Sequence, residues 1–96
     1  MRAMERALLE KILDATEGID RGDGSAFEVA DEHRASLYLG GGQGTTVVGD
    51  LVSIVLHDDY IQATAKDNTR HCILYEPVFG MSLKVPREKA SRTGFG

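Results

Sequence analysis

The sequence lacks tryptophan, contains a single cysteine and two prolines, and has no long apolar run. With only Cys72, the chain cannot form an internal disulfide or a multi-cysteine zinc site, which fits a reducing compartment. No apolar stretch approaches the ~20 residues that a membrane-spanning helix needs, and the first residues alternate charged with apolar side chains, unlike a signal peptide. We therefore expect a cytoplasmic protein that does not span a membrane.

Strong positive charge is also missing from most of the chain, whose net charge is −4. Four basic residues and one acidic residue follow position 83, so residues 1–83 carry about −7. An acidic body is a poor candidate for nonspecific nucleic-acid binding, which depends on concentrated lysine and arginine. Ninety-six residues suffice for one domain, which we place at 1–86, followed by a basic, flexible tail at 87–96.

One amphipathic helix is predicted near the start of the chain, over residues 3–17. Met4, Leu8, Ile12 and Ala15 recur there at spacings of four, four and three and form an apolar stripe with Leu9 and Leu13 beside it, while charged residues occupy the opposite face. Gly18 follows where a helix is expected to stop. A helix of this length is marginal alone in water, so the stripe is expected to pack on a sheet or on a neighbouring subunit.

Strand-like alternation dominates the rest of the chain. Residues 18–25 form a glycine-rich linker, and from residue 26 onward apolar and polar residues alternate with a period of two. The predicted fold class is mostly β (α+β): an N-terminal helix followed by a five- to six-stranded, strongly bent antiparallel small barrel over residues 26–86.

A glycine-rich run, GGGQGTTVV at residues 40–48, raises the question of a phosphate-binding loop. It lacks the lysine of a P-loop and the third glycine of a dinucleotide fingerprint, so we interpret it as a hairpin whose glycines allow positive φ. In the long strand that follows, Gly49 is predicted to be a bend or bulge. Val52, Ile54 and Leu56 are expected to share one face of that strand.

Catalytic and metal-binding patterns are weak. His71 and Cys72 are adjacent, but neighbouring strand residues point to opposite faces, so we predict a buried structural cysteine instead of a thiol–base pair. His57, Asp58 and Asp59 lack the spacing of metal ligands and are interpreted as a solvated turn. We expect no enzyme, no cofactor and no metal, although a site shared between subunits and using His57, Asp58 or His71 stays open.

Residues 35–87 resemble the Sm-like and Hfq-like family of small β-barrels. The similarity lies in ASLYL, a glycine turn, the bent strand VVGDLVSI, then DDYIQATA and CILYEPVFGMSLKVP. The resemblance implies a homo-oligomeric ring in which the final strand pairs with the next subunit, and RNA as a ligand.

Two features differ from that family. Glu76 and Pro77 follow Tyr75, where Hfq-like proteins place a basic residue and a histidine that hold uridine-rich RNA, and a carboxylate facing phosphates lowers affinity. An additional acidic segment, Asp20–Glu32, separates the predicted helix from the barrel. Any RNA grip is therefore expected to use other residues.

The favoured prediction is a non-enzymatic binding module that forms a homo-oligomer and binds single-stranded RNA or a protein partner. Aromatic side chains stack on bases and basic ones contact phosphates, although core packing is the commoner role of aromatics. The candidate ligand-binding residues are Tyr38, Tyr60, Tyr75, Phe79, Lys84, Arg87 and Lys89. The alternative is a pleckstrin-homology-like or other partly open barrel that serves as a monomeric protein-interaction scaffold.

Overall fold

A computed structural model describes residues 4–86, so the predicted tail at 87–96 lies outside the described residues. Helix α1 spans Arg6–Ala15, shorter than the predicted 3–17. It ends where Oγ1 of Thr16 donates a hydrogen bond to the carbonyl of Ile12 and the backbone turns extended. No helix in the described part of the chain is long and apolar enough to cross a membrane.

The apolar stripe of α1 is rotated by one position from the predicted one. Leu9 and Leu13 are fully buried, whereas Leu8 is 43% exposed. Both pairs share the four-residue spacing of a helix face, and the sequence pattern cannot decide which of two adjacent rows faces the core. The helix packs on the sheet of the same chain, as one of the two predicted arrangements required.

Seven antiparallel strands follow the helix, which confirms a mostly β fold but exceeds the predicted five to six strands. The extra strand lies inside the predicted linker at 18–25, and with the next strand it forms a hairpin within the acidic segment. The strands are β1 (Ile19–Arg21), β2 (Ala26–Val29), β3 (Arg34–Gly41), β4 (Gly44–Leu56), β5 (Tyr60–Ala65), β6 (Arg70–Leu74) and β7 (Val78–Lys84).

Strand β4 is the central strand of the sheet and pairs with three other strands. Its Leu51 has partners on both sides, Ala35 in β3 and Ala65 in β5. Beyond β3 and β4, the sheet continues to β7 on one side, and β5 pairs with β6 on the other. The β1–β2 hairpin lies beside the second half of β4, on the same side as β3, where β3 has ended. The sheet curls strongly into a half-barrel.

Two bulges in β4 produce the curl. Between the pairs Ala35↔Leu51 and Leu37↔Val48, β4 contains one residue more than β3, and Asp50 adopts φ +57° there. A second extra residue, Val52, opposes β5. Bulges increase local twist and bend a strand. They also correct the predicted alternation, because Leu51 is buried together with Ile54 while Val52 is only half-buried.

The core lies on the inner, concave face of the sheet and is closed by α1. Its buried residues are all apolar or aromatic, and they come from the helix and from the strands packed against it. Arg21 ties the helix to the β1–β2 hairpin through ion pairs with Glu10 (2.8 Å) and Asp14 (2.5 Å). Its guanidinium also lies 4.9 Å from the ring centroid of Phe27.

Four strand edges lack a partner strand within residues 4–86, and one of them belongs to the short β1, which pairs only with β2. Strand β6 pairs only with β5, and β7 pairs only with β3. The first half of β4 pairs with β3 on one side, and its other side has no strand beside it. Open edges present unpaired backbone N–H and C=O groups and are sites where further strands add.

Candidate functional site

Two of the predicted ligand-binding aromatics lie together on the outer face of the sheet, the face turned away from the core. The ring centroids of Tyr38 in β3 and Phe79 in β7 are 6.3 Å apart, with an interplanar angle of 32°. Val47 in β4 is the direct cross-strand partner of Tyr38 and shares its face. These three residues form what we name the outer patch.

A bulge in β7 brings Phe79 to the surface. Between the pairs Leu39↔Val78 and Tyr38↔Gly80, β7 contains one residue more than β3. Val78 therefore stays in the core, while Phe79 is 60% exposed. Val47 is 54% exposed, so the outer patch presents apolar surface from three adjacent strands.

Glycines leave room for both rings. A Cβ at Gly40 would lie 3.4 Å from Cδ2 of Phe79, and a Cβ at Gly80 would lie 3.5 Å from Cδ2 of Tyr38. The two rings thus lie against glycine backbone instead of between side chains. No neighbouring side chain at these two positions covers the aromatic surface.

Hydroxyl groups continue the outer face next to the rings. The hydroxyl of Tyr38 and Oγ of Ser82 are joined by a hydrogen bond of 2.8 Å. Ser82 is the cross-strand partner of Ser36, so two serines follow the aromatic pair along β3 and β7. The hydrogen bond orients the Tyr38 ring and places polar groups directly beside an apolar surface.

A pair of basic residues marks the far end of the same face, where Arg34 is the partner of Lys84. They line an open cleft of about 570 Å³ together with Glu32 and Asp50. The two acidic residues balance the two basic ones, so the described residues that line this cleft carry no net charge. The predicted contacts Arg87 and Lys89 lie in that segment, outside the described residues.

Tyr60 occupies a different part of the outer face. Its ring stacks on that of His57 with centroids 4.5 Å apart and an interplanar angle of 20°. Nε2 of His57 lies 3.4 Å from Oε1 of Gln62. Leu74, the cross-strand partner of Tyr60, is 64% exposed. This group belongs to β5 and β6, so the structure does not bring Tyr60 together with Tyr38 and Phe79.

Tyr75 belongs to the core. It is 9% exposed, and its hydroxyl donates a hydrogen bond of 2.6 Å to the carbonyl of His57. Burial raises the pKa of the Tyr75 hydroxyl. The Tyr75 ring is therefore not presented to a ligand at the surface. Its role is core packing, which is the commoner role of aromatic residues. Glu76 follows it as an exposed residue between β6 and β7.

The prediction of a buried cysteine is wrong, because Cys72 is exposed. Cys72 pairs with Gln62 on the outer face, while Ile73, its neighbour, takes the buried position opposite Ile61. His71 points to the other side of β6, as the alternation predicted. The two side chains do not form a thiol–base pair.

The turn between β4 and β5 does not assemble a metal site. Among residues 4–86, no group of three histidine, cysteine, aspartate or glutamate side chains lies close enough together to hold a metal ion. Within the turn, His57 packs on Tyr60, and Asp58 and Asp59 are exposed.

Perturbed carboxylates lie away from the outer patch and have structural causes. The side-chain hydrogen bond from Arg21 lowers the pKa of Asp14. Hydrogen bonding from Thr69 lowers the pKa of Asp67, and the backbone N–H of Thr69 donates to Oδ1 of Asp67 at 3.0 Å, closing the turn between β5 and β6. Asp14 lies in α1 and Asp67 lies in the turn between β5 and β6, so neither carboxylate belongs to the outer patch.

Sequence reasoning missed several members of this surface. Cross-strand registers bring five further residues to the same surface as Tyr38, Phe79 and Lys84. These residues are Arg34, Gly40, Val47, Gly80 and Ser82. The glycines did provide a signal, because a glycine inside a strand marks a bulge or a close approach. That signal identifies no particular partner until the strands are paired.

No protein-family model, curated protein or solved structure matches this chain significantly.

Proposed function

We propose that this protein is a non-enzymatic, Sm-like binding and assembly module that holds single-stranded RNA on the outer patch and assembles into a homo-oligomer. The observation that carries the proposal is the pair of aromatic rings on the outer face, half-buried Tyr38 and exposed Phe79, which lie against glycines. Hydroxyls follow along the same strands, and basic residues stand at their end.

This arrangement supports a single-stranded ligand. Bases that are free of a duplex expose π-faces, and each base stacked on an aromatic side chain contributes about 1–3 kcal/mol. Serine hydroxyls and the Tyr38 hydroxyl suit the 2′-hydroxyl and base edges of RNA. Phosphates beyond the rings would meet Arg34, Lys84 and the basic chain that follows.

Homo-oligomerisation is supported by the open edges of β6 and β7. If β6 of one copy pairs with β7 of the next, the contact is heterologous, and it gives a ring of more than two copies when the rotation between copies closes. The Sm-like resemblance of residues 35–87 implies this type of ring. The helix, β3, the glycine turn, the long bent β4 and three further strands occur in this order, with the β1–β2 hairpin inserted between the helix and β3.

A binding titration with fluorescent oligouridine and oligoadenine at low salt tests the RNA proposal. The double variant Tyr38→Ala/Phe79→Ala should lose about tenfold or more in affinity, because two stacking surfaces disappear. Tyr60→Ala is the matched control, since it removes an aromatic ring from the other part of the outer face. Its affinity should stay within about twofold of the unchanged protein, as expected away from the contact.

Charge dependence provides a second readout. Neutralising Lys84, Arg87 and Lys89 together should weaken binding and flatten the logarithmic dependence of affinity on salt, by about 0.7 in slope for each phosphate that is no longer neutralised. Absence of binding at low salt, or equal losses of affinity from Tyr60→Ala and the double variant, would remove RNA from the proposal.

A second candidate function is a protein-interaction scaffold of the pleckstrin-homology-like or another partly open barrel type. The observation in its favour is the balance of charge around Lys84, because Glu32 and Asp50 reduce the attraction for phosphates. Mass in solution discriminates between the two. A β6–β7 ring predicts a multiple of 10.4 kDa above two copies, whereas a scaffold predicts a monomer or dimer.

A further inference from the structure

The hairpin of β3 and β4 extends beyond the rest of the sheet as an exposed arm. Every residue from 40 to 47 is exposed, although most of them belong to strands. The pair Gly41↔Gly44 closes the hairpin around a two-residue turn, Gly42 and Gln43. We name residues 40–49 the arm.

The arm contains no charged residue, whereas 27% of the whole chain is charged. Native proteins protect open edges with lysine, proline, inward charges or bulges. The edge of β4 from Thr45 to Val48 has none of these, and its four residues are β-branched. Such an edge favours the addition of another strand.

The hydrogen-bond register shows which groups are free on this edge. Pairing of Gly41 with Gly44 across a two-residue turn makes that pair the hydrogen-bonded kind, and the two kinds of pair alternate along an antiparallel ladder. Thr45 and Val47 therefore direct their backbone N–H and C=O groups away from β3. No strand within residues 4–86 meets them.

We infer that the occupant of this edge is the arm of a second copy of the chain, paired antiparallel with β4 about a two-fold axis at Thr46. In this register Thr45 of each copy pairs with Val47 of the other, so all four free backbone groups of each edge are satisfied. In a two-fold pair, like charges that lie directly opposite one another are destabilising, and the chain carries −4 overall, but the arm has no charged residue where the copies meet.

A cleft beside β4 has room for the partner's hairpin tip. It measures about 710 Å³ and is lined by Val48, Gly49 and Asp50 on one side and by Lys66, Asp67 and Thr69 on the other. The two-fold register places the tip of the second copy, Gly42 and Gln43, beside Asp50 and Gly49. A tip built largely of glycine fits such a cleft because it brings little side-chain volume.

This pairing goes beyond the proposed function and uses a different edge from β6 and β7. A two-fold axis perpendicular to the sheet keeps equivalent residues on the same face. The outer patches of the two copies would then lie on one continuous surface. A longer strand of RNA, or a larger partner, would meet two aromatic pairs instead of one.

Cross-linking tests the register. In a Cys72→Ser background, Thr46→Cys places two thiols directly opposite each other across the axis. Their Cα atoms would be about 4.5 Å apart, within the range that a disulfide spans. Gln43→Cys is the matched control, because Gln43 is also exposed but would lie about 20 Å from its equivalent in this register. Under mild oxidant, Thr46→Cys should form disulfide-linked dimers at least about tenfold faster than Gln43→Cys, and equal rates would overturn the register.

Charge exchange tests the pairing itself in the unmodified background. Thr46→Lys and Thr46→Glu each place like charges opposite one another and should weaken self-association by about tenfold or more. Mixing the two variants should restore association as a mixed dimer, detected by native mass spectrometry. Because Thr46 lies off the outer patch, RNA binding by each copy should persist, which separates this result from a failure of the proposed function. Unchanged association in both variants, or no mixed dimer, would overturn the inference.

Discussion

The two halves of β4 differ in how many strands they contact, although both are rich in β-branched and aliphatic residues. Residues 44–47 pair on one side only and are exposed. From Leu51 to Leu56 the strand has neighbours on both sides, and Leu51, Ile54 and Leu56 are buried. Burial along this strand follows the number of neighbouring strands and not the composition. Residues 51–56 contribute to the core and form the structural half, and residues 44–47 are exposed and form the displayed half.

The bend at Asp50 and Val52 separates these roles. After the bend, residues of β4 enter the core. Before the bend, the sheet surface carries the outer patch. Changes in the second half should therefore alter the free energy of unfolding, and changes in the first half should alter binding.

The largest expected effect is in the core half. Ile54→Ala should lower the free energy of unfolding by about 2–5 kcal/mol, because it leaves a cavity at a fully buried site. Val47→Ala, the matched change in the exposed half, should change it by less than about 0.5 kcal/mol. Urea denaturation followed by circular dichroism measures both values. Similar losses in the two variants would contradict the division of β4 into a structural and a displayed half.

A smaller effect is expected at the bend. Asp50 adopts φ +57°, a left-handed conformation that disfavours β-branched residues, so Asp50→Val should cost about 1–2 kcal/mol of stability. Asp50→Gly should be neutral or slightly stabilising, because glycine adopts this conformation without strain. The difference between the two variants in urea denaturation is the informative quantity. If valine were tolerated as well as glycine, the bend would not depend on this residue.

Tyr38 in β3, which pairs with Val47 of the displayed half, should respond weakly to loss of its hydroxyl. Tyr38→Phe removes the hydrogen bond with Ser82 but keeps the ring, and we expect a loss of about 0.5–1.5 kcal/mol in stability. Affinity for oligouridine should fall far less than in Tyr38→Ala. Fluorescence anisotropy compares the two variants. Equal losses of affinity would show that the hydroxyl, and not the ring face, holds the ligand.

The smallest expected effect concerns the ion pairs between α1 and β1, far from either half of β4. Because the pKa of Asp14 is lower in the folded protein, its contribution to stability is present above the usual carboxyl pKa of about 3.9 and is lost as pH falls through the lower folded value. Asp14→Asn should remove this part of the acid sensitivity. Stability curves from about pH 5 to about pH 2 measure the difference. Superimposable curves would show that the interaction with Arg21 is screened by solvent.

Most of the architecture was predictable from periodicity. The helix has a four-residue apolar repeat, and β3 to β7 alternate clearly enough to be recognised. Strand β1 has only three residues, two of them charged, so no alternation marks it. Its Arg21 forms ion pairs with Glu10 and Asp14 of the helix, contacts that a local pattern does not contain.

The candidate site was predictable only in part. Tyr38 and Phe79 are recognisable in the sequence as aromatic candidates, but their proximity depends on a bulge in β7 that leaves no mark in the alternation. The same kind of irregularity buries Leu51 with Ile54, and register likewise places Cys72 at the surface. Bulges and registers are tertiary properties, because the partner strand decides where an extra residue is accommodated.

The most direct test of the central claim is an NMR titration of the ¹⁵N-labelled protein with a short oligouridine at low salt. We predict that amide shifts change at Tyr38, Val47, Phe79 and Ser82 and stay constant from Leu51 to Leu56. Shift changes centred on His57, Tyr60 and Leu74, or no changes anywhere, would contradict the outer patch as the binding surface.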